Sequence, residues 1–118
     1  DGVQKDLKEA CKWYALAAEQ GYAAAQDNLG TMYEGGQGVE KDLKEAFKWY
    51  LASARQGNSN AQYHLARMYL KGAGVEQDYR EAVKWYGKAA EQNVPAAQFG
   101  LGLLYLTGNG TEQDEAKG

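Results

Sequence analysis

Few side chains in this sequence combine the residue type and the spacing that catalysis or metal binding requires. His64 is the only histidine and Cys11 the only cysteine, so neither a second imidazole nor a thiol cluster completes a zinc site. No nucleophile stands at a plausible spacing from a general base. We therefore predict no catalytic residue, no metal site and no cofactor, and we expect Cys11 to fill an apolar core position.

The glycines are the next candidates for chemistry, because the chain contains fifteen of them. A phosphate-binding loop needs glycines followed by a lysine and preceded by a strand. Gly36-Gln37-Gly38 has neither the lysine nor the strand. We assign the glycines to the ends of helices and to loops, where left-handed backbone is needed.

Trp13, Trp49 and Trp85 could stack on nucleic-acid bases if basic residues surrounded them. The chain has 13 basic and 16 acidic residues and a net charge of -3, which argues against affinity for nucleic acid or anionic membranes. It also contains no apolar run of about 18 residues and no charged-apolar-small leader, so we expect no membrane span and no signal peptide. We predict that the tryptophans pack between helices; the compartment is not indicated.

The tryptophans belong to a repeat with a spacing of 36 residues. Lys-Trp-Tyr occurs at 12–14, 48–50 and 84–86, and Ala-Gln occurs at 25–26, 61–62 and 97–98. The tyrosines Tyr33, Tyr69 and Tyr105 keep the same interval. A fixed period of this length is typical of stacked supersecondary units rather than of a closed globule.

Each period predicts two helices. The first, which we call the WY helix, begins after an aspartate with a glutamate three positions on, an arrangement typical of a helix N-terminus. These aspartates are Asp6, Asp42 and Asp78, and the helices end at Gly21, Gly57 and Asn93. Because Gly2-Val3 matches Gly38-Val39, residues 1–5 are predicted to be loop.

The second helix of each period, the LG helix, contains Leu29-Gly30, Leu65-Ala66 or Leu101-Gly102. Asn58 is predicted to cap one copy, and Pro95 to occupy the first helical position of another. Glycine within a helix costs about 1 kcal/mol relative to alanine, so we expect a neighbouring helix backbone to approach Gly30 and Gly102 closely. Six helices result, and Asp114 to Gly118 would open a seventh.

The repeated pattern Ala-Gln-x-x-Leu-Gly-x-x-Tyr, followed by Gly-x-Gly-Val, Asp and Trp-Tyr, resembles the Sel-one-like repeat (SLR) family, a relative of the tetratricopeptide repeat (TPR). The resemblance covers nearly the whole chain. It implies an all-α fold, a right-handed superhelix of six antiparallel helices, with LG helices on the concave side and WY helices on the convex side. It also implies an adaptor for protein-protein contacts and carries no catalytic residue.

In the phase of this family, residues 1–118 form a single domain and a fragment of a longer array. It comprises a WY helix at 6–20, repeats at 21–56 and 57–92, and a partial repeat at 93–118. Both terminal faces should expose apolar stripes, which predicts marginal stability or head-to-tail association of copies.

The candidate partner site lies on LG-helix positions that the interior does not need. These positions are Asp27, Thr31, Glu34, Tyr63, Arg67, Leu70, Phe99, Leu103 and Leu106. They run from acidic through mixed to apolar, which suits a peptide or protein segment with a basic end and a hydrophobic end. Asp27 and Thr31 stand where the carboxylate clamp of chaperone-binding TPR domains needs lysine and asparagine, so an acidic chain terminus is not the expected ligand.

Two alternatives remain open from the sequence. The apolar residues Phe99, Leu103 and Leu106 would also be buried if further repeats covered them. The chain would then be an architectural spacer within a longer array rather than a scaffold that binds a partner. An enzyme, such as a hydrolase, is the least favoured function.

Overall fold

A computed structural model describes residues 2–111, which form six α-helices and no strand. The helices are α1 (Gly2–Glu19), α2 (Ala23–Gly35), α3 (Leu43–Arg55), α4 (Ser59–Lys71), α5 (Tyr79–Glu91) and α6 (Pro95–Thr107). Each packs principally on the helix next to it in sequence, and the array measures 53 × 23 × 21 Å. The predicted all-α repeat fold is therefore confirmed.

Capping side chains begin three of these helices, and a proline begins a fourth, as the sequence predicts. The Asp42 carboxylate accepts from the backbone N-H groups of Lys44 and Glu45, and Asp78 caps α5 in the same way. Asn58 accepts from Ala61 at the start of α4, and Pro95 is the first residue of α6. The three capping side chains satisfy backbone donors that a helix leaves unpaired in its first turn, and the proline has no N-H there to satisfy.

The ends of the WY helices also agree with the prediction. Gly21, Gly57 and Asn93 all have positive φ, at 92°, 94° and 67°. Asn93 is the one described non-glycine residue in this region of backbone space. Asparagine is, after glycine, the residue type that most readily adopts left-handed backbone, so the exchange of glycine for asparagine preserves the turn.

The start of α1 was predicted wrongly. Residues 1–5 were expected to be loop ahead of a cap at Asp6, yet α1 begins at Gly2. In the later copies, the backbone N-H of the capping aspartate donates to a tyrosine carbonyl of the preceding LG helix, as Asp42 does to Tyr33 at 3.0 Å. The described residues ahead of Asp6 include no such tyrosine, so the helix continues and satisfies those backbone groups itself.

The interior consists of two clusters of buried side chains. The first joins α1 to α2 and contains Cys11, Ala18, Ala25, Leu29 and Met32. The second extends from α3 to α6, with Tyr50, Leu65, Met68, Trp85, Tyr86 and Leu104 as its large members. The second cluster also contains alanines, among them Ala46, Ala61 and Ala82, and each of these three is fully buried. Small residues at these points let the helix axes approach closely enough for the large side chains to interdigitate.

The reason for Gly30 differs from the predicted one. A Cβ at Gly30 would lie 2.7 Å from the Tyr50 ring, so it is a side chain, not a helix backbone, that approaches. Nothing lies within 4 Å of the corresponding position at Gly102. Tyr50 belongs to α3, the WY helix that follows α2, whereas among the described residues no WY helix follows α6 to place a tyrosine there.

Glutamines hold successive repeats in register. Gln56 donates to the Gln26 side chain and to the Gly21 carbonyl, both at 2.9 Å. Gln92 repeats this with Gln62 at 2.9 Å and with the Gly57 carbonyl at 3.0 Å. Each bond joins the end of one WY helix to the preceding repeat. The predicted opening of a seventh helix, at Asp114 to Gly118, lies outside the described residues.

Candidate partner-binding face

The nine predicted site residues come from α2, α4 and α6, and we call the surface that they occupy the LG face. Successive LG helices contribute three each, so the surface runs along the array. The structure divides it into a polar half on α2 and α4 and an apolar half centred on α6. The two halves differ in how much of each side chain remains free.

The Asp27 carboxylate belongs to the polar half but is largely withdrawn from solvent. It is 8% exposed, and its Oδ1 lies 3.1 Å from Nδ1 of His64. The His64 ring is held against the Tyr50 ring, with centroids 4.8 Å apart. His64 thus pairs with a carboxylate inside the array, and the described residues contain no group of three or more potential ligands that could hold a metal.

Glu34 is the second acid of the polar half, and it is also paired. Nη2 of Arg67 donates to both of its carboxylate oxygens, at 3.0 and 2.8 Å. The Tyr50 hydroxyl donates to Glu34 at 2.7 Å and lies 3.1 Å from the Thr31 hydroxyl. The pKa of Tyr50 is raised, mainly because the hydroxyl is buried. The hydroxyl therefore stays protonated and acts as the hydrogen-bond donor to Glu34.

These pairings change the expected chemistry of the polar half. The sequence places two acids on α2 opposite a basic segment of a partner. In the structure, the Asp27 carboxylate is already hydrogen-bonded to His64 of α4, and the Glu34 carboxylate to Arg67 of α4. A basic partner segment would have to displace a charge-assisted hydrogen bond to reach either carboxylate.

The apolar half is exposed in the described structure. Phe99, Leu103 and Leu106 are 70%, 46% and 80% exposed. Beside them is a hollow of about 400 Å³, whose lining residues come from α4, α5 and α6 and the loops around them. They are Tyr63, Leu70, Tyr79, Tyr86, Ala96, Phe99, Gly100, Leu103, Leu104, Thr107 and Asn109.

Sequence reasoning missed Tyr86 and Gly100 as parts of this surface. Tyr86 is in the WY motif, outside the LG helices from which the candidate site was chosen, and most of its side chain is buried. Gly100 is within contact distance of the Tyr86 ring, since a Cβ there would lie 3.2 Å from it. A comparison of position 100 with the histidine 36 residues earlier would have shown the missing side chain.

The opposite surface, formed by the WY helices, contains a hollow of about 440 Å³ near Trp85. Charged side chains line much of it: Arg55, Glu81, Lys84 and Lys88. Lys84 lies over the Trp85 ring at 4.9 Å from the centroid, as Lys48 does over Trp49. The lysines cover faces that base stacking would need, so the LG face is the better candidate for an apolar ligand.

The repeated helix pairs, the glutamine contacts and the tyrosine positions agree with one known family. The Sel1 repeat pattern matches residues 1–22, 23–58, 59–94 and 95–118. The chain belongs to the Sel1 repeat family. The family's units begin at 23, 59 and 95, which are the first residues of α2, α4 and α6, whereas we predicted repeats at 21–56 and 57–92.

Solved Sel1 repeat structures resemble this chain closely. The antigen c5321 of uropathogenic Escherichia coli strains, which has an SLR fold, is 42% identical with a TM-score of 0.87, over 90% of this chain and 23% of its own. A Sel1 repeat protein from Oxalobacter formigenes is 44% identical with a TM-score of 0.85, over 92% of this chain and 44% of its own.

A more distant Sel1 relative in structure is cysteine rich protein B of Helicobacter pylori. It is 26% identical with a TM-score of 0.70, over 74% of this chain and 65% of its own. The chain therefore spans from about a quarter to about two thirds of the length of these three proteins. No curated protein matches it. Within residues 2–111, no helix is long and apolar enough to cross a membrane.

Proposed function

We propose that this Sel1 repeat array is a protein interaction scaffold that binds a segment of another protein along the LG face. Sel1 repeats commonly serve as protein-protein interaction modules. The LG helices are also expected to form the concave side of the array, where an extended or helical segment contacts several repeats at once.

The observation that carries the proposal is the exposure of the apolar side chains of α6. Phe99 and Leu106 are mostly exposed, and Leu103 is nearly half exposed, beside a hollow of about 400 Å³. No residue of α6 carries a charge. Exposed apolar surface without charges is typical of the centre of a protein interface, because burying it there costs no charge desolvation.

The paired acids restrict what the partner segment contains. Since Asp27 and Glu34 are already hydrogen-bonded to side chains of α4, the binding free energy would come from apolar contacts with α6. Arg67 and Glu34 would then contribute register and selectivity at the edge of the contact, as polar groups around an apolar interface centre do. A hydrophobic segment is favoured over a basic one.

The test is a selection of phage-displayed peptides on the immobilised protein, followed by calorimetric titration of the enriched peptides. Phe99→Ala should weaken their binding by roughly tenfold or more, because an interface aromatic contributes more than about 1.4 kcal/mol. Arg67→Ala should have a smaller effect. Lys48→Ala, on the opposite surface, is the matched control and should leave Kd unchanged.

If Phe99→Ala and Arg67→Ala both leave the affinity of every selected peptide unchanged, the LG face is not the binding surface. Failure to enrich any peptide on the wild-type protein, while a longer array of the same repeats does so, would instead favour the spacer.

A further inference from the structure

A series of four rings crosses the LG face from α3 to α5. The centroid of Tyr50 lies 4.8 Å from that of His64, and His64 lies 5.6 Å from Tyr63. Tyr63 in turn lies 5.9 Å from Tyr86. The tyrosines of the WY helices form the floor of the face, and the rings of α4 lie between them.

The next repeat interrupts this series at one residue. Counting 36 residues onward, Tyr86 corresponds to Tyr50, Phe99 to Tyr63 and Gly100 to His64. Since Gly100 has no side chain, no ring lies on Tyr86 where His64 lies on Tyr50. The hollow of about 400 Å³ opens there, between Tyr86 and the exposed Phe99.

The charges around the two equivalent places also differ. The His64 ring faces the Asp27 carboxylate at 3.1 Å. A carboxylate at this place suits a ring that donates a hydrogen bond. The residue that corresponds to Asp27 one repeat later is Tyr63, and none of the residues lining the hollow is charged. The Arg67 guanidinium lies 5.9 Å from the Tyr63 ring centroid, but it is already paired with Glu34. A cationic or anionic group placed in the hollow would therefore lose hydration with no charge on the lining residues to compensate it.

We propose that this hollow is a subsite for a neutral aromatic side chain, presented by the partner segment that the proposed function places on the LG face. The ring would take the position that His64 takes in the preceding repeat and would extend the ring series from Tyr86 to Phe99. An aromatic ring gains stacking or edge contacts with two neighbouring rings beyond the area it buries, which an aliphatic side chain does not. Binding of a phenyl, phenol or indole group is therefore favoured over that of leucine.

The test uses single amino acids with blocked termini, which need no knowledge of the natural partner. The protein is titrated with N-acetyl-phenylalaninamide and, separately, with N-acetyl-leucinamide and N-acetyl-argininamide, while NMR follows the ring signals of Tyr63, Tyr86 and Phe99. The aromatic probe should shift these three signals in a saturable way, at concentrations roughly tenfold lower than the other two probes require.

Three variants locate the effect. Gly100→His places in the hollow the same ring that position 64 has, and it should abolish the saturable shifts. Asn28→His puts that ring at the equivalent position of the first repeat, outside the hollow, and should leave the response intact. Phe99→Ala, at a mostly exposed side chain, should weaken the response without unfolding the protein and so separates loss of the site from loss of the fold.

Ring signals that do not move at saturating probe would overturn the proposal, as would equal responses to phenylalanine and leucine or an unchanged response in Gly100→His. The result is distinguishable from failure of the proposed function. If Phe99→Ala weakens the selected peptides and Gly100→His does not, the LG face binds a partner but the aromatic subsite is wrong. If the probe binds the hollow while no peptide is captured, the subsite stands and the proposed function is wrong.

Discussion

Gly30 and Gly102 occupy the same place in two LG helices, yet their surroundings are opposite. Gly30 lies against the ring of Tyr50, which is fully buried and also contacts His64. Gly102 faces open space in the described structure. One glycine is required by its neighbour, whereas the other only lowers helix propensity.

We predict that substitution by alanine changes the free energy of unfolding in opposite directions at the two glycines. Gly30→Ala should destabilise the protein by about 1–3 kcal/mol, because its Cβ would overlap a ring that cannot move out of a packed core. Gly102→Ala should raise the free energy of unfolding by up to about 1 kcal/mol, since alanine favours the helix. Urea unfolding followed by circular dichroism measures both. A loss of stability in Gly102→Ala would show that something packs on the Gly102 face of α6 in solution.

The helices were predictable as elements because each carries its own start and stop signals. Asp42, Asn58 and Pro95 begin helices, and Asn93 ends one, through contacts within a few residues. The start of α1 was not predictable in this way, because the cap at Asp42 also depends on a carbonyl from the preceding helix. The boundary of α3 therefore rests on a contact with the preceding helix as well as on its own capping residue.

The three tryptophans of the WY helices differ in how deeply they are buried against the preceding repeat. Trp85 is 6% exposed and Trp13 is 60% exposed, while Trp49 is partly buried against the cluster between α1 and α2. Trp85→Ala should therefore cost about 3–5 kcal/mol, Trp49→Ala less, and Trp13→Ala under about 1 kcal/mol. Denaturant melts of the three variants give the order. Equal costs would mean that the tryptophans contribute through something other than burial between repeats.

As a whole molecule, the array resembles a stack with two unlike end faces. Trp13 and Leu16 are exposed on α1, and Tyr105 and Leu106 on α6. Within the chain, α3 packs on α2 and α5 on α4. Because α1 carries the same Trp-Tyr motif as α3 and α5, a second copy could present it to α6 in the same way.

We predict that copies of this chain associate head to tail through these two faces. In sedimentation velocity runs, the average mass should rise with protein concentration, because a heterologous contact of this kind does not close on itself. Trp13→Glu should suppress the rise, and Lys8→Glu, elsewhere on the same helix, should not. A monomer at every concentration would contradict the prediction.

Only part of the LG face was predictable from the sequence. The period placed all nine residues on LG helices, because helical spacing alone decides which residues share a face. It did not show that Asp27 and Glu34 are paired with His64 and Arg67. Those bonds join residues more than 30 positions apart, so they depend on how far each helix is rotated against the next.

By itself, the sequence determined the helices, the caps of α3, α4 and α5, the left-handed turns and the family, because these follow mainly from contacts within a repeat that occurs three times. Only the tertiary structure decided which LG side chains are free and which are paired, and that the absence of a side chain at Gly100 opens a hollow over Tyr86. The physical reason is that both depend on distances between helices of different repeats. A period of 36 residues implies that successive repeats have similar distances between their helices, but it does not specify what those distances are.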